Sequence, residues 1–418
     1  MIATWIDQAA HVLMSRIDTL ATLSEEPDGL TRSAYSPPMR HVHDLLTAWM
    51  HYAGMHVWRD NVGNLIGRYP SRNPQARAFL FGSHLDTVRN AGKYDGPLGV
   101  LGPLLCIEQL HHQGVELPFH LDLIAFIDEE GLRFHTAYLG SQAVTGHFKR
   151  EYLNLVDDDG ITLAEAIREF GGDPAAIALD RREPADVLGY CEVHIEQGPV
   201  LEAKNLPVGV VTSIAGQTRI ALTFGGMAGH AGTVPMQMRR DALCGAAEFV
   251  LAVEAYTRQS PDMVATVGKL QTEPGVSNVI PGSVTLSLDV RHHDNDQRQV
   301  VCQLLLERAQ HICTTRRLKL DWTVVHQNPA TPCTLALSHL LERAVSEAGY
   351  RPHFLPSGAG HDAVAMAQLT GIAMLFVRCK DGISHHPDES VTVEDVSVAL
   401  DVVDRFIGLL ANHYRTHE

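Results

Sequence analysis

Four strings of chemically competent side chains follow directly on apolar runs. Gly82-Ser83-His84-Leu85-Asp86-Thr87 follows a run at 78–81, and Asp128-Glu129-Glu130-Gly131 follows one at 121–127. His194 lies within a third run, 190–195, which leads into Glu196-Gln197-Gly198-Pro199. Ser384-His385-His386-Pro387 stands a short loop beyond a fourth run, 372–377, and Asp95 sits apart in Tyr94-Asp95-Gly96. Taken singly, each has an ordinary reading as a hydrogen-bonded loop histidine, a core histidine or a turn acid. Taken together they offer two or three imidazoles and three or four carboxylates, a mixture that suits borderline divalent metals such as Zn²⁺, Mn²⁺ or Co²⁺, and enough ligands for two ions. Adjacent carboxylates at a sheet end repel one another unless cations compensate. A carboxylate left over is what metal-assisted hydrolysis needs: metals lower the pKa of a water towards ~7, and a non-ligating Glu takes its proton. Asp86, two residues past His84, is placed to orient that ring as an acceptor behind the metal. The spacing is not H-E-x-x-H, so no zincin helix is present.

Residues scattered from 84 to 385 meet only if the elements between them bring them together. Helical spacing at 4–23 and 40–53 and an apolar helix at 97–112 alternate with the runs at 78–81, 121–127 and 190–195. That alternation predicts an α/β domain with a mixed, mostly parallel sheet covered on both faces, and such sheets carry their sites at the carboxyl ends of the strands. From about residue 208 the pattern changes to strands at 208–214 and 219–224, a helix at 237–256, strands at 263–271 and 283–291, a helix at 296–314 and a strand at 318–326. This order predicts a two-layer, ferredoxin-like α+β unit with helices on one face of an antiparallel sheet. After Asn328-Pro329 the first pattern returns, with a helix at 335–348, the strand at 372–377 and a last helix at 393–413 capped by Thr392. The expectation is a discontinuous domain, 1–209 and 329–418, with a second domain inserted at 210–328.

Composition narrows the class. The chain has 418 residues, 45% hydrophobic and 20% charged, enough for two or three globular domains without staples. Its 33 basic and 49 acidic side chains give a net charge of −16, which disfavours nucleic acid or an anionic membrane as partner. No apolar run approaches the ~18 residues of a membrane span, and the first residues form an amphipathic pattern with Asp7, Arg16 and Asp18 rather than a signal peptide. Seven cysteines stand singly, as reduced thiols of a cytoplasmic protein do. Histidine is unusually abundant, at 24. The pairs His111-His112 and His292-His293 match no ligand position and are expected to face solvent, and Asp157–Asp159 is expected to be a solvated turn.

The ordered strings Gly-Ser-His84-Leu-Asp86-Thr, Tyr-Asp95-Gly, Asp-Glu129-Glu130-Gly, His194-Ile-Glu-Gln197-Gly-Pro, Gly229-His230-Ala231-Gly232-Thr233 and Gly-Ile-Ser-His385-His-Pro-Asp-Glu span residues 82–389. With them the chain resembles the dinuclear-metal amidohydrolase branch of the metallo-aminopeptidase and carboxypeptidase superfamily, and within it the allantoate amidohydrolase and N-carbamoyl-L-amino-acid hydrolase group. The resemblance implies that His84, Asp95 and His194 surround one metal, that Asp95 bridges to a second held by Glu130 and His385, and that Glu129 is the general base with Asp86 behind. Peptide-cleaving relatives usually carry a carboxylate at the His194 position, which favours the ureido branch. The inserted domain is implied to be a lid through which a homodimer forms, with His230 reaching the partner's site to polarise the scissile carbonyl. Asn278 and Arg291 match the substrate-carboxylate grip, and Gln197 and Gln217 positions that bond amide or ureido groups. Val234 departs from the relatives' second threonine. Gly358-Ala359-Gly360-His361-Asp362 resembles a site-lining loop, without a role for His361. Allantoate is the expected substrate, with N-carbamoyl-L-amino acids or ureidoglycolate as alternatives. A silent binding protein of the same fold is expected to have lost at least one of these residues.

Overall fold

The computed structural model describes residues 2–415, which divide into two compact units. The first runs to Thr212 and resumes over Cys333–Leu355 and from Gly360 onward; the second comprises Ser213–Pro332 and Pro356–Ala359.

The first unit is built on a mixed, largely parallel sheet. Its strands lie in the spatial order His56–Arg59, Leu65–Tyr69, His120–Phe126, Ala78–His84, Val187–Ile195, Ile372–Val377, Val208–Ile214. The four central strands, His120–Phe126 to Ile372–Val377, are mutually parallel, and the flanking ones antiparallel. Every residue of Ala78–His84, His120–Phe126 and Ile372–Val377 is buried, because both faces are covered and a near-continuous apolar run is what such a strand requires. Helices Pro97–Gln113, Leu335–Glu347 and Val393–Arg415 pack on this sheet, with Phe406 of the last meeting Phe79 edge-on at 5.9 Å between ring centres. Thr392 caps that helix by accepting the Asp395 N–H at 3.0 Å.

Two differences from the sequence expectations have clear causes. Val208–Ile214, expected to open the inserted unit, pairs instead with Ile372–Val377 in the large sheet; six of its seven residues are buried, a two-sided burial that a sheet solvated on one face does not give. The strands His56–Arg59 and Leu65–Tyr69 and the helix Leu163–Phe170 were not anticipated. They are too short for periodicity to declare itself, although the helix carries a readable capping box: Thr162 accepts the Glu165 N–H at 3.2 Å and Glu165 accepts the Thr162 N–H at 2.9 Å.

The second unit holds an antiparallel sheet in the order Lys319–Asn328, Gly216–Gly225, Ser283–His292, Val264–Glu273. Along Gly216–Gly225 and Ser283–His292 burial alternates residue by residue, so one face only is apolar. Ile220, Leu222, Phe224 and Leu286 on that face join Phe249 of helix Ala242–Arg258 and Leu305 of helix Asn295–Arg316 in one core. A two-stranded ribbon, Gly229–His230 with Val279–Ile280, stands apart from this sheet. His111, His112 and His293 are exposed, whereas His292 is buried, its Nδ1 accepting the Asp294 N–H at 3.0 Å and its Nε2 standing 3.1 Å from the Pro261 carbonyl. All seven cysteines are unpaired, and no helix among the described residues is long and apolar enough to cross a membrane.

Candidate active site

Parallel register delivers the key side chains to one edge. His84 closes its strand opposite Phe126, which Glu129 and Glu130 follow at once, and His194 lies opposite Phe376 of the next strand. Asp95 comes from the turn before helix Pro97–Gln113. Gly96 in that turn is required twice over: its φ is +84°, and a Cβ there would stand 2.6 Å from the His84 ring.

Around Asp95 the five expected ligands converge. Its Oδ1 lies 3.0 Å from His194 Nε2 and 3.5 Å from His84 Nε2, and its Oδ2 lies 3.1 Å from His385 Nε2. Glu130 Oε1 approaches His385 Nε2 at 3.4 Å. The side chains form two triads that share Asp95, namely His84, Asp95 and His194 on one side and Asp95, Glu130 and His385 on the other, the ligand atoms of each within 4.8 Å of one another. Glu129 adjoins as a third group with His84 and Glu130.

The donor chemistry fits cations. The Nδ1 atoms of His84 and His194 lie 2.9 Å from the carbonyl oxygens of Asp86 and Ile195. Carbonyls only accept, so each Nδ1 carries the hydrogen and each Nε2 turns a lone pair toward Asp95. Lone pairs facing a carboxylate are tolerable only with a cation between them or a second proton on each ring. Without a cation the protons do the work. Burial alone would lower both histidines, yet bonding to Asp95 holds their pKa values above the ordinary range. Asp95, which burial would raise, is drawn well below by its bonds to His194, His385 and His84. His385 is raised to about 9, chiefly by Asp95.

Glu129 is 8% exposed. Burial pushes its carboxyl well up, against the opposing charge of His84 and with that of Glu130. Asp86 is fully buried, but its carboxylate does not take the expected place behind His84, standing 3.8 Å from Nδ1. It accepts instead the backbone N–H groups of Glu129 at 3.1 Å and Glu130 at 3.0 Å, and its carbonyl orients the imidazole. Asp86 thus ties the His84 string to the Glu129-Glu130 string. Gln197 donates to Asp95 Oδ2 at 2.8 Å and Ser384 Oγ at 3.0 Å, leaving its buried Oε1 without a partner.

Glu389 is a residue whose role no sequence reading assigned. One of its carboxylate oxygens accepts the N–H groups of Tyr94 and Asp95 at 2.8 and 3.1 Å, and the other accepts from Ser384 at 3.0 Å. A Cβ on Gly92 would lie 2.2 Å from this carboxyl carbon, so a side chain there would expel it. Glu389→Ala is expected to weaken divalent-metal affinity by about 10–100-fold, measured by competition with a chromophoric chelator; undiminished affinity would remove Glu389 from this role. Glu192, also unassigned, is buried behind His194. It accepts from Ser83 at 3.2 Å, Tyr190 at 3.0 Å and the Ala363 N–H at 2.9 Å. His361 meets the His194 ring edge-on at 4.5 Å between centres. The signal for Glu192 was its place two residues before His194, on the same strand face.

Four expected residues belong to the second unit. Gln217 and Arg291 are register partners on adjacent strands, gathered by Asp289. Asp289 accepts from Gln217 Nε2 at 2.6 Å and from Arg291 Nε and Nη2, both at 3.1 Å. Arg291 Nη1 donates to the Gly358 carbonyl at 2.8 Å, so two of the guanidinium's five N–H donors remain. His230 lies in the ribbon, paired with Val279, and Asn278 immediately precedes its second strand; both are exposed, and His230 Nδ1 accepts the Gly232 N–H at 3.0 Å.

Comparison with known proteins places this arrangement. The chain is 40% identical over 400 residues to an N-carbamoyl-L-amino acid amidohydrolase of Geobacillus stearothermophilus, covering 96% of this chain and 98% of that one. It is 40% identical over 417 residues to an allantoate deiminase of Arabidopsis thaliana, covering 92% and 79% respectively. A crystal structure of a hydantoinase/carbamoylase family amidase from Burkholderia multivorans superposes with a TM-score of 0.90 at 32% identity, over 96% of this chain and 97% of that one. Residues 80–408 match the model of peptidase family M20/M25/M40, and the chain belongs to that family.

Proposed function

We propose that the protein is a metal-dependent amidohydrolase that cleaves the ureido C–N bond of a small carboxylate, with allantoate as its substrate. The observation that carries the reading is the paired triad around Asp95 with the buried Glu129 beside it. His84, Asp95 and His194 would hold one divalent cation, and Asp95, Glu130 and His385 a second. Zn²⁺ or Mn²⁺ suits this donor set, with Co²⁺ also compatible. Bound there, the cations supply Lewis acidity and ease the deprotonation of water.

The chain's own residues do the rest. Glu129 takes the proton of the attacking water and delivers it to the departing nitrogen. Gln197 offers its unpartnered Oε1 to a ureido N–H. Arg291 grips the substrate carboxylate through its two remaining donors, assisted by Asn278, and Gln217, held by Asp289, faces the ureido group through its own oxygen. The second unit acts as a ferredoxin-like lid and dimerisation domain, and His230 stabilises the developing oxyanion in the partner's site. Unpaired cysteines suit a reducing, cytoplasmic setting.

Hydrolysis of N-carbamoyl-L-amino acids is the second reading, favoured by the near-complete coverage of the Geobacillus enzyme. Rates for allantoate, ureidoglycolate and a series of N-carbamoyl-L-amino acids with Mn²⁺-loaded protein test both. Allantoate is expected to give the highest kcat/KM; a carbamoyl amino acid ahead of it reverses the order, and no turnover of any of them sinks the reading. Sharing of His230 has its own test. Mixed dimers of inactive His230→Ala and Glu129→Gln chains should recover activity at one site in two, and no recovery would place His230 in its own subunit's chemistry.

A further inference from the structure

A second cavity lies in the first unit, away from the Asp95 cluster in its lining. It encloses about 540 Å³ and is walled by helix Leu139–Val144, the turn Arg150–Asn154, helix Leu163–Phe170 and the turn Ile177–Leu179. This volume falls in the range of roughly 300–1,000 Å³ typical of small-molecule sites. Phe148, Leu153 and Ile177 give it an apolar lining, and Arg150, Arg168 and Arg181 a strongly basic one. No carboxylate lines it. In a chain of net charge −16, three arginines gathered on an apolar cavity without an acid among them stand against the prevailing charge.

Arg168 faces the exposed carboxylate of Glu165 one turn earlier on its helix, an electrostatic contact made across solvent. Among the described residues Arg150 and Arg168 enter no ion pair, and Arg181 has only Glu183 at 3.5 Å, with both side chains more than half exposed, an arrangement worth little in water. Guanidinium groups suit phosphate and carboxylate because their planar donors match paired anionic oxygens. A monoanion would leave most of this charge uncompensated, and an ion without a body would leave the apolar lining unfilled. We infer that the cavity is a binding site for a small organic dianion, a phosphate monoester or a dicarboxylate, carried on an apolar body. Arg150, Arg168 and Arg181 take the charge, and Phe148, Leu153 and Ile177 take the body. The site is independent of the Asp95 cluster and of the reaction proposed for it.

Isothermal titration calorimetry on the full-length, metal-loaded protein tests the assignment with four probes: 1-naphthyl phosphate, phthalate, inorganic phosphate and 1-naphthol. At least one of the two aromatic dianions is expected to bind one per chain with Kd below about 1 mM, and about tenfold or more tighter than inorganic phosphate and 1-naphthol. Which dianion binds more tightly separates phosphate esters from dicarboxylates. In the Arg150→Ala/Arg168→Ala variant that affinity should fall about tenfold or more, with hydrolysis of the ureido substrate unaltered. All three arginines are exposed, and Arg181→Ala alone, a third change in the same wall, should weaken binding in the same direction. Three results would overturn the site: no dianion binding, binding untouched by the arginine variants, or 1-naphthol binding as tightly as its phosphate.

Discussion

Glu129→Gln is expected to lower kcat by about 10²–10⁴-fold, the contribution of a positioned general base, while the protein keeps its metal content. The two outcomes are separable because Glu129 and Glu130 stand in different surroundings one residue apart. Glu130 Oε1 lies 3.4 Å from His385 Nε2 and shares a triad with Asp95. Glu129 belongs to neither Asp95 triad and shares one only with His84 and Glu130. The substitution preserves shape and the backbone bond to Asp86 but removes the atom that accepts a proton. A drop of 10³ corresponds to about 4 kcal/mol in the barrier. The check is steady-state turnover beside metal analysis of the same preparation. Undiminished turnover would remove Glu129 from the role of base, and loss of metal would make it a ligand.

Asp95→Asn should have the larger structural consequence. One carboxylate meets three imidazoles through two oxygens, His84 and His194 on Oδ1 and His385 on Oδ2, so neutralising it weakens both triads together. Metal affinity is expected to fall by more than the roughly 10–100-fold that loss of a partner behind a ligand produces, and activity with it. In the metal-free variant, His84, His194 and His385 lose the group that raises their pKa values. Titration of the imidazole NMR signals should therefore move all three downward, His385 away from about 9. Retention of wild-type metal affinity would show that Asp95 does not join the two triads. Circular dichroism on each variant separates loss of the site from loss of the fold.

That His84, the Glu129-Glu130 pair and His194 gather at one edge was legible from their places at or near the ends of apolar runs, since parallel strands deliver their carboxyl ends together, whereas the central place of Asp95 came only from the family resemblance. The antiparallel unit between was legible from the order of its strands and helices, and the cap at Thr392 from its residue type before the last helix. Other parts were not. Val208–Ile214 has no local mark that assigns it to one sheet or the other, and only the strand it pairs with decides. That Asp86 acts on His84 through its carbonyl, freeing its carboxylate for two N–H groups 43 and 44 residues away, follows from how two strand ends are juxtaposed. Glu389 meets the Asp95 N–H across 294 residues, and Asp289 collects Gln217 and Arg291 from a neighbouring strand and its own.

By itself, then, the amino-acid sequence determined which candidate metal-ligating strings stand near strand ends, since that depends on local residue type and periodicity. Tertiary structure alone decided the second layer of contacts, which atom of Asp86 orients His84, which acid anchors Asp95 and what occupies the donors of Arg291. Those choices rest on distances of about 3 Å between segments far apart in the chain, and a hydrogen bond distinguishes partners only at that range.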